Sequence, residues 1–418
     1  MAPLVEILGI ISSILMTLVS IFFLYQVVYL YIPLIRVRKK QVEAKDTRYA
    51  VLIAARNEEM VLPHLLDSIK AQDYPSDLID VFVVADNCTD NTAQVAQAHG
   101  AKVFQRFNKQ FVGKGYAMHY LLEQIKNQIG WDKYDAFLIF DADNLLEPDY
   151  IRQLNRLPSE GYQAFCGYRN TKNFGTNWLT SGYGLWYLHE SSHMNRSRTI
   201  IKTGCHVNGT GFGFTRQLLE QLGGWNFFTL TEDIEFNNYC ASHGIKIGYC
   251  HDAVLYDEQP LTFGQSWKQR TRWAKGGMQV SFKYIGALLR NLFRFKWNSY
   301  TCFELMTLSF WGFGFATFSS ALTLGVAALS STPLGFLFVI GSTIVGAYTA
   351  LAYVGLWTVI LEWKRIRATT KEKIISVFTF PFFMMTFAPI SICAMFSKVK
   401  WDPIVHTVAI SSTELARK

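Results

Sequence analysis

Charge is missing altogether from three stretches of this 418-residue chain: residues 7–35, 305–361 and 374–397. A bilayer span needs about 20 consecutive apolar residues, so the first and last stretches can each hold one span and the middle one two. Their apolarity excludes a wholly water-soluble protein. The first stretch is too long for a cleavable leader and has no basic residue ahead of it. It is followed instead by Arg36, Arg38, Lys39 and Lys40, the pattern of a retained anchor that leaves the next domain in the cytoplasm.

Other absences narrow the function. The seven cysteines contain no CxxC pair, which argues against structural zinc and a disulfide framework. No GxGxxG follows the first strand-like run, which disfavours a nicotinamide-binding domain, and the GxxxxGK[ST] spacing of a P-loop is missing. Internal repeats and low-complexity tracts are absent too. The net charge of +8 gathers largely beside the apolar stretches, at 36–40 and 364–373. That placement indicates topology and attraction to membrane lipids rather than a nucleic-acid partner.

Between the apolar stretches, strand-like and helix-like segments alternate. RYAVLIAARNEE, DVFVVADNCTDNT, AKVFQR and AFLIFDADN read as strands, with VLPHLLDSIKAQ, TAQVAQAHG and GYAMHYLLEQIKNQ as helices between them. This pattern predicts a parallel α/β sheet. Such sheets bind ligands beyond the carboxyl ends of their strands. Those ends carry Ala55, Arg56, Asn57 and Glu58, then Asp86, then Asp141 and Asp143.

Strand alternation aims residues two apart the same way, so Asp141 and Asp143 can address one hard cation, Mg²⁺ or Mn²⁺; a pair of acids opening a turn is the alternative. Asp86 can accept an imide N–H from a base or cap its own turn. Lys114, between two glycines at a helix start, suits a phosphate. Glu232 and Asp233 in TLTEDIEF open a helix as caps or as a catalytic base. The glycines of HVNGTGFGF allow close approach of a ligand or a tight turn. Trp225, Trp267 and Trp273 suit sugar stacking or interface anchoring. Gln269, Arg272 and Trp273 stand at i, i+3 and i+4 on one helical face, joining an amide, a cation and a ring. The stripe Ile285, Leu289 and Leu292, with Lys283, Arg290 and Arg294 on another face, predicts a helix in the membrane interface.

AARNEE, VVADNCTDNT, GKGYA, DADN, TED and QRTRW, in that order, resemble the membrane-bound family 2 glycosyltransferases, among them cellulose, hyaluronan, chitin-oligosaccharide and poly-N-acetylglucosamine synthases. The resemblance covers roughly residues 48–285. It implies an α/β GT-A catalytic domain inserted between transmembrane helices, a UDP-sugar donor (glucose or N-acetylglucosamine), a divalent metal and inversion at the anomeric carbon. By position it implies Asp86 at the uracil, the turn from Ala55 to Glu58 near the nucleoside, and Lys114 near the diphosphate. Asp141 and Asp143 would hold the sugar diphosphate and its metal. Asp233 would be the general base, with Glu232 beside it. Gln269, Arg272 and Trp273 would contact the diphosphate and the acceptor.

The expected organisation is an N-terminal transmembrane helix (1–36) and a cytoplasmic catalytic domain (37–262). Interfacial helices (263–300), a membrane region (301–398) and a tail (399–418) follow. The membrane region holds two spans and a third segment that crosses or breaks at Pro381 and Pro389. The acceptor is either a growing polysaccharide passed through the membrane region or a membrane lipid given a single sugar, and the sequence alone leans to the polymer. A non-catalytic scaffold would not need the three acidic and QxxRW motifs together.

Overall fold

The computed structural model describes residues 2–36, 44–402, 406, 408–411, 414 and 415; Arg38, Lys39 and Lys40 lie outside them. Eight strands form one sheet: β1 (Tyr49–Ala55), β2 (Ile79–Asp86), β3 (Lys102–Arg106), β4 (Ala136–Asp141), β5 (Leu145–Leu146), β6 (Ala164–Thr171), β7 (Phe212–Thr215) and β8 (Ile247–Asp257). Their order is β3-β2-β1-β4-β7-β6-β8-β5. The first four are the strands expected from the sequence, and they pair in parallel. The second half corrects the all-parallel expectation: β7 runs antiparallel to both β4 and β6, and β5 to β8.

Parallel strands covered on both faces read as continuous apolar runs. In β1, Ala50 and Leu52 join the core under the helix Lys114–Gln128. Tyr49, Val51, Ile53 and Ala55 join the opposite core under the helix Leu62–Lys70. The registers keep the strand ends level, with Ala55 beside Ala85 and Ala54 beside Asp141. Arg56, Asp86 and Asp141 therefore share the carboxyl edge. β4 ends at Asp141, and Asp143 falls in the turn beyond it. The expectation that pleat alternation aims both carboxylates alike does not hold, because the pleat has stopped before Asp143.

Among the described residues, four segments are long and apolar enough to cross a membrane: Pro3–Leu34, Phe310–Ser330, Pro333–Glu362 and Thr370–Phe396. Only 6%, 6% and 0% of the most apolar window is buried in the first three, against 33% in the fourth. The fourth is two helices, Thr370–Met385 and Phe387–Phe396, and the break is at Thr386. Pro389 lies in the first turn of the second helix, where a missing N–H costs little, whereas Pro381 is accommodated inside the first.

This last segment is tied to the helix Phe263–Leu292. The Arg270 guanidinium donates to the Phe383 carbonyl (3.2 Å) and the Thr386 hydroxyl (2.7 Å). The N-terminal helix is tied as well, through Ser197 Oγ to the Tyr29 carbonyl (3.1 Å) and the Tyr29–Tyr300 hydroxyl pair (3.2 Å). The QxxRW motif and the amphipathic stretch prove to be one helix, Phe263–Leu292. Val280, Tyr284 and Leu288 pack inward, while Phe282 and Leu289 face out. Trp225, considered for sugar stacking, is instead fully buried against Phe214 and Phe236.

Gly115 sits where a Cβ would lie 2.0 Å from the Phe227 carbonyl oxygen, so the helix Lys114–Gln128 and the loop before Glu232 meet backbone to backbone. Gly286, on the long helix, has no heavy atom within 4 Å of that position. Gly115→Ala is expected to lower the unfolding temperature of the detergent-solubilised chain by several degrees, an overpacking cost of about 1–3 kcal/mol. Gly286→Ala is expected to raise it slightly, by the ~1 kcal/mol helix preference of alanine.

Candidate active site

Every residue expected at the donor, the metal, the base and the QxxRW face, from Ala55 and Arg56 to Arg272 and Trp273, lines one cavity of about 610 Å³; Asn57, Trp225 and Trp267 do not. Asn57 takes positive φ (59°), and its side chain accepts the Thr89 N–H at 2.8 Å, so it fastens the β1 turn to the β2 turn. Asp86 is buried at the end of β2, beside Arg106 of β3 in register. Arg106 donates to its Oδ1 at 2.6 Å and, through the other terminal nitrogen, to the Phe111 carbonyl at 2.6 Å. Sequence reading passed over Arg106, although its place at the end of β3 was the available signal.

Lys114 is at the centre. Its ammonium donates to Asp141 Oδ1 (2.5 Å) and the Gly209 carbonyl (2.7 Å) and lies 3.8 Å from Glu232 Oε1. Burial works against its charge, but Asp141 and Glu232 outweigh burial and hold its pKa above the ordinary lysine value. Gly209 and Gly211 take left-handed backbone (φ 80° and 64°), so the glycine run is a tight turn that aims a carbonyl at Lys114.

Glu232 and Asp233 open the helix Glu232–His243. Burial pushes Glu232 up to about 7, against the pull of Lys114, with Asp233 adding to the rise. Burial also raises Asp233, against its helix N–H groups, Lys114 and Arg169. Glu235, one turn on, is fully buried and bonded to Lys283, which fixes this helix to the long helix. On that helix Arg272 donates to the Leu230 carbonyl at 3.1 Å, and Trp273 packs edge-on to Trp186 and Tyr183. The Gln269 carbonyl oxygen is buried without a partner.

Asp143 is buried, and its Oδ2 accepts the Glu258 N–H at 2.7 Å. Burial opposes its charge, but His406, Lys172 and that N–H prevail and keep its pKa below the usual carboxylate value. His406 donates from Nδ1 to Glu58 at 2.9 Å; burial disfavours its cation, yet Asp143, Glu58 and Glu258 hold it protonated up to about 10. Trp401 lies over the Arg56 guanidinium, 5.3 Å from the ring centroid. The tail thus returns to the site, which the sequence did not reveal, since a single Trp and a single His outside any periodic element carry no pattern. Arg169 was also missed. It is bonded to Asp257 and lies over the Tyr187 ring at 3.6 Å, and burial, against Arg169, raises Asp257 to about 6.

Among the described residues, no three His, Cys, Asp or Glu side chains converge as a closed metal site. Asp141 and Asp143 still fit a hard dication, because both carboxylates attract cations already: Lys114 at the first and protonated His406 facing the second. Magnesium is commonly held by one or two carboxylates and completed by substrate phosphate.

Comparison with known proteins agrees with this geometry. The family described as "Glycosyltransferase like family 2" matches residues 47–276, more than half of the chain. A β-monoglucosyldiacylglycerol synthase of Synechocystis is 28% identical over 240 residues, 56% of this chain and 48% of that one. A poly-β-1,6-N-acetyl-D-glucosamine synthase of Staphylococcus epidermidis is 26% identical over 251 residues, 59% of this chain and 58% of that one. The chain thus aligns with only about half the length of these curated relatives. The mannosyltransferase PcManGT of Pyrobaculum calidifontis, solved with GDP-mannose and Mn²⁺, shares the fold with a TM-score of 0.57 at 17% identity, covering 91% of this chain and 98% of that one. The sheet, its carboxyl-edge acids and the 47–276 match show that the chain belongs to the family 2 glycosyltransferases, with a GT-A-like catalytic domain carried among membrane-length helices.

Proposed function

We propose that this enzyme transfers one sugar, with inversion, from a UDP-sugar to the hydroxyl of a membrane lipid. The observation that carries the reading is the continuity of the cavity. From Arg56 and Asp86 it passes Asp233 and runs on to Leu305, Leu308, Phe310 and Phe313, where the membrane-length helices begin. An acceptor with a hydroxyl at one end and apolar chains at the other suits such a passage. The polymer favoured from the sequence would thread between spans, whereas among the first three apolar segments the cavity reaches only the start of one, at Phe310 and Phe313. Glucose and N-acetylglucosamine are the sugars we favour, in keeping with the names of the relatives.

In this reading Asp86, oriented by Arg106, receives the uracil, and Ala55, Arg56 and Glu58 border the nucleoside. Asp233 takes the proton from the acceptor hydroxyl as its oxygen bonds to the anomeric carbon and the bond to the diphosphate breaks. Arg272 and Lys114 face the departing diphosphate, and Gln269 and Trp273 the acceptor. A divalent cation held by Asp141 and Asp143 would supply further charge neutralisation to that leaving group. The catalytic domain is assigned to the cytoplasmic face from the basic residues Lys364, Arg365, Arg367, Lys371 and Lys373 beside the apolar segments.

The full chain in proteoliposomes, given radiolabelled UDP-glucose or UDP-N-acetylglucosamine with Mn²⁺, is expected to label a chloroform-extractable lipid bearing one sugar. Asp233→Asn should reduce this by roughly 10²–10⁴-fold. A long water-soluble glycan from the same assay would contradict the lipid reading. The pH profile is a second check. Asp233 acts only when ionised, and burial raises its pKa, so kcat should fall on acidification at a pH above the ~4 of a free carboxylate. Lys114→Met removes a cation that lowers the pKa of both acids, so the acid limb of its residual activity should move to higher pH. A limb near 4 in both proteins would contradict the assignment.

A further inference from the structure

The cavity also has a polar wall that the transfer reaction described above does not use. Glu190 begins a π-helical turn, Glu190–Asn195, directly after the helix Trp178–His189. Such turns are uncommon and frequently accompany functional sites. Asn195 in this turn clamps His206, donating to its carbonyl and accepting its N–H, both at 2.9 Å. Asn237, one turn after Asp233, clamps Val207 in the same way at 2.9 and 2.8 Å. The His206–Val207 backbone is thereby fixed relative to the helix that carries the base.

His206 and Glu190 both line the cavity, with Trp186 beside them. His206 is only 6% exposed, and its Nε2 is buried without a hydrogen-bond partner among the described residues. Burial, reinforced by Arg198, keeps its ring neutral. The cation nearest Glu190, Arg198, stands 4.0 Å away and is fully buried on Glu304 (3.3 Å) and Asn195 (3.1 Å). Arg169 is committed to Asp257 and to the Asn208 carbonyl. The wall therefore offers a carboxyl group, an unpaired neutral imidazole and a ring face, with its neighbouring guanidinium groups already engaged. Uncharged hydroxyls fit such a surface, and a phosphate does not, because a buried anion beside Glu190 would lack a free counter-ion.

We propose that Glu190 and His206 form the headgroup subsite of the acceptor and select a neutral, polyhydroxylated lipid headgroup over an anionic phospholipid. The proposal rests on the lipid-acceptor reading above. It is tested with the full chain in mixed micelles, using monoglucosyldioleoylglycerol or dioleoylphosphatidylglycerol as acceptor; both headgroups present several free hydroxyls, and only the second carries a phosphate charge. The wild type should glycosylate the first and discriminate against the second. Glu190→Gln should raise the KM for monoglucosyldioleoylglycerol about tenfold, as expected for a lost charge-assisted hydrogen bond, and narrow the discrimination. His206→Gln, which keeps a polar side chain, should raise the same KM. Both variants should still bind UDP with the wild-type affinity, which a misfolded or donor-defective protein would not do. Equal use of the two lipids by the wild type, or variants whose acceptor KM stays within twofold, would overturn the headgroup assignment. Donor consumption with no lipid product from either acceptor would overturn the lipid reading itself, and the subsite with it.

Discussion

One ammonium group joins the parts of this enzyme. Lys114 touches Asp141 at the end of β4, the Gly209 carbonyl in the turn before β7, and the surroundings of Glu232 at the start of its helix. Three sequence motifs far apart in the chain meet at its Nζ. The cavity around it is rich in carboxylates, with Asp141, Asp143, Glu232, Asp233, Asp257 and Glu258 along its walls. Two like charges 4 Å apart near a protein surface repel by about 4 kcal/mol at an effective dielectric of 20, so the cluster needs a cation at its centre. Gly115 then explains itself: the residue after the lysine lets the helix come close enough to the loop before Glu232 for the ammonium to reach both.

Around this centre the charge is balanced in pairs: Asp86 with Arg106, Asp257 with Arg169, and Glu58 with His406. Each pair joins two elements and so sets the shape of the cavity as well as its potential. The membrane-side elements are secured by the same means. Glu235 and Lys283 hold the long helix, Arg198 and Glu304 the short helix Ser299–Thr307, and Arg270 the final apolar segment. The catalytic centre is thus built against the apolar helices, and its cavity extends to Phe310 and Phe313, where one of them begins.

Much of this was legible in the sequence because it is periodic or local. The four parallel strands are apolar blocks ending in polar residues, and the QxxRW face follows from helical spacing alone. The antiparallel half was not legible. β7 is four residues, two of them between or beside glycines, and owes its place to pairing with β4 and β6 rather than to its own pattern. Asp143 was assigned a pleat direction in a strand that had already ended. Arg169, Trp401 and His406 act through tertiary contacts between distant segments, and nothing local in their surroundings distinguishes them from ordinary surface residues. The mirror case is Trp225, which suggests a sugar platform by its type and is core by its packing.

The central claim is that Lys114 couples the end of β4 to the helix of Glu232, and a double-mutant cycle tests it directly. Lys114→Met, Glu232→Gln and the double variant would be compared by equilibrium unfolding of the full chain in detergent. The account predicts strong non-additivity, with the second substitution costing far less once the first is present, by more than about 1 kcal/mol. Effects that add to within roughly 0.5 kcal/mol would show the two groups to be energetically independent and would contradict it.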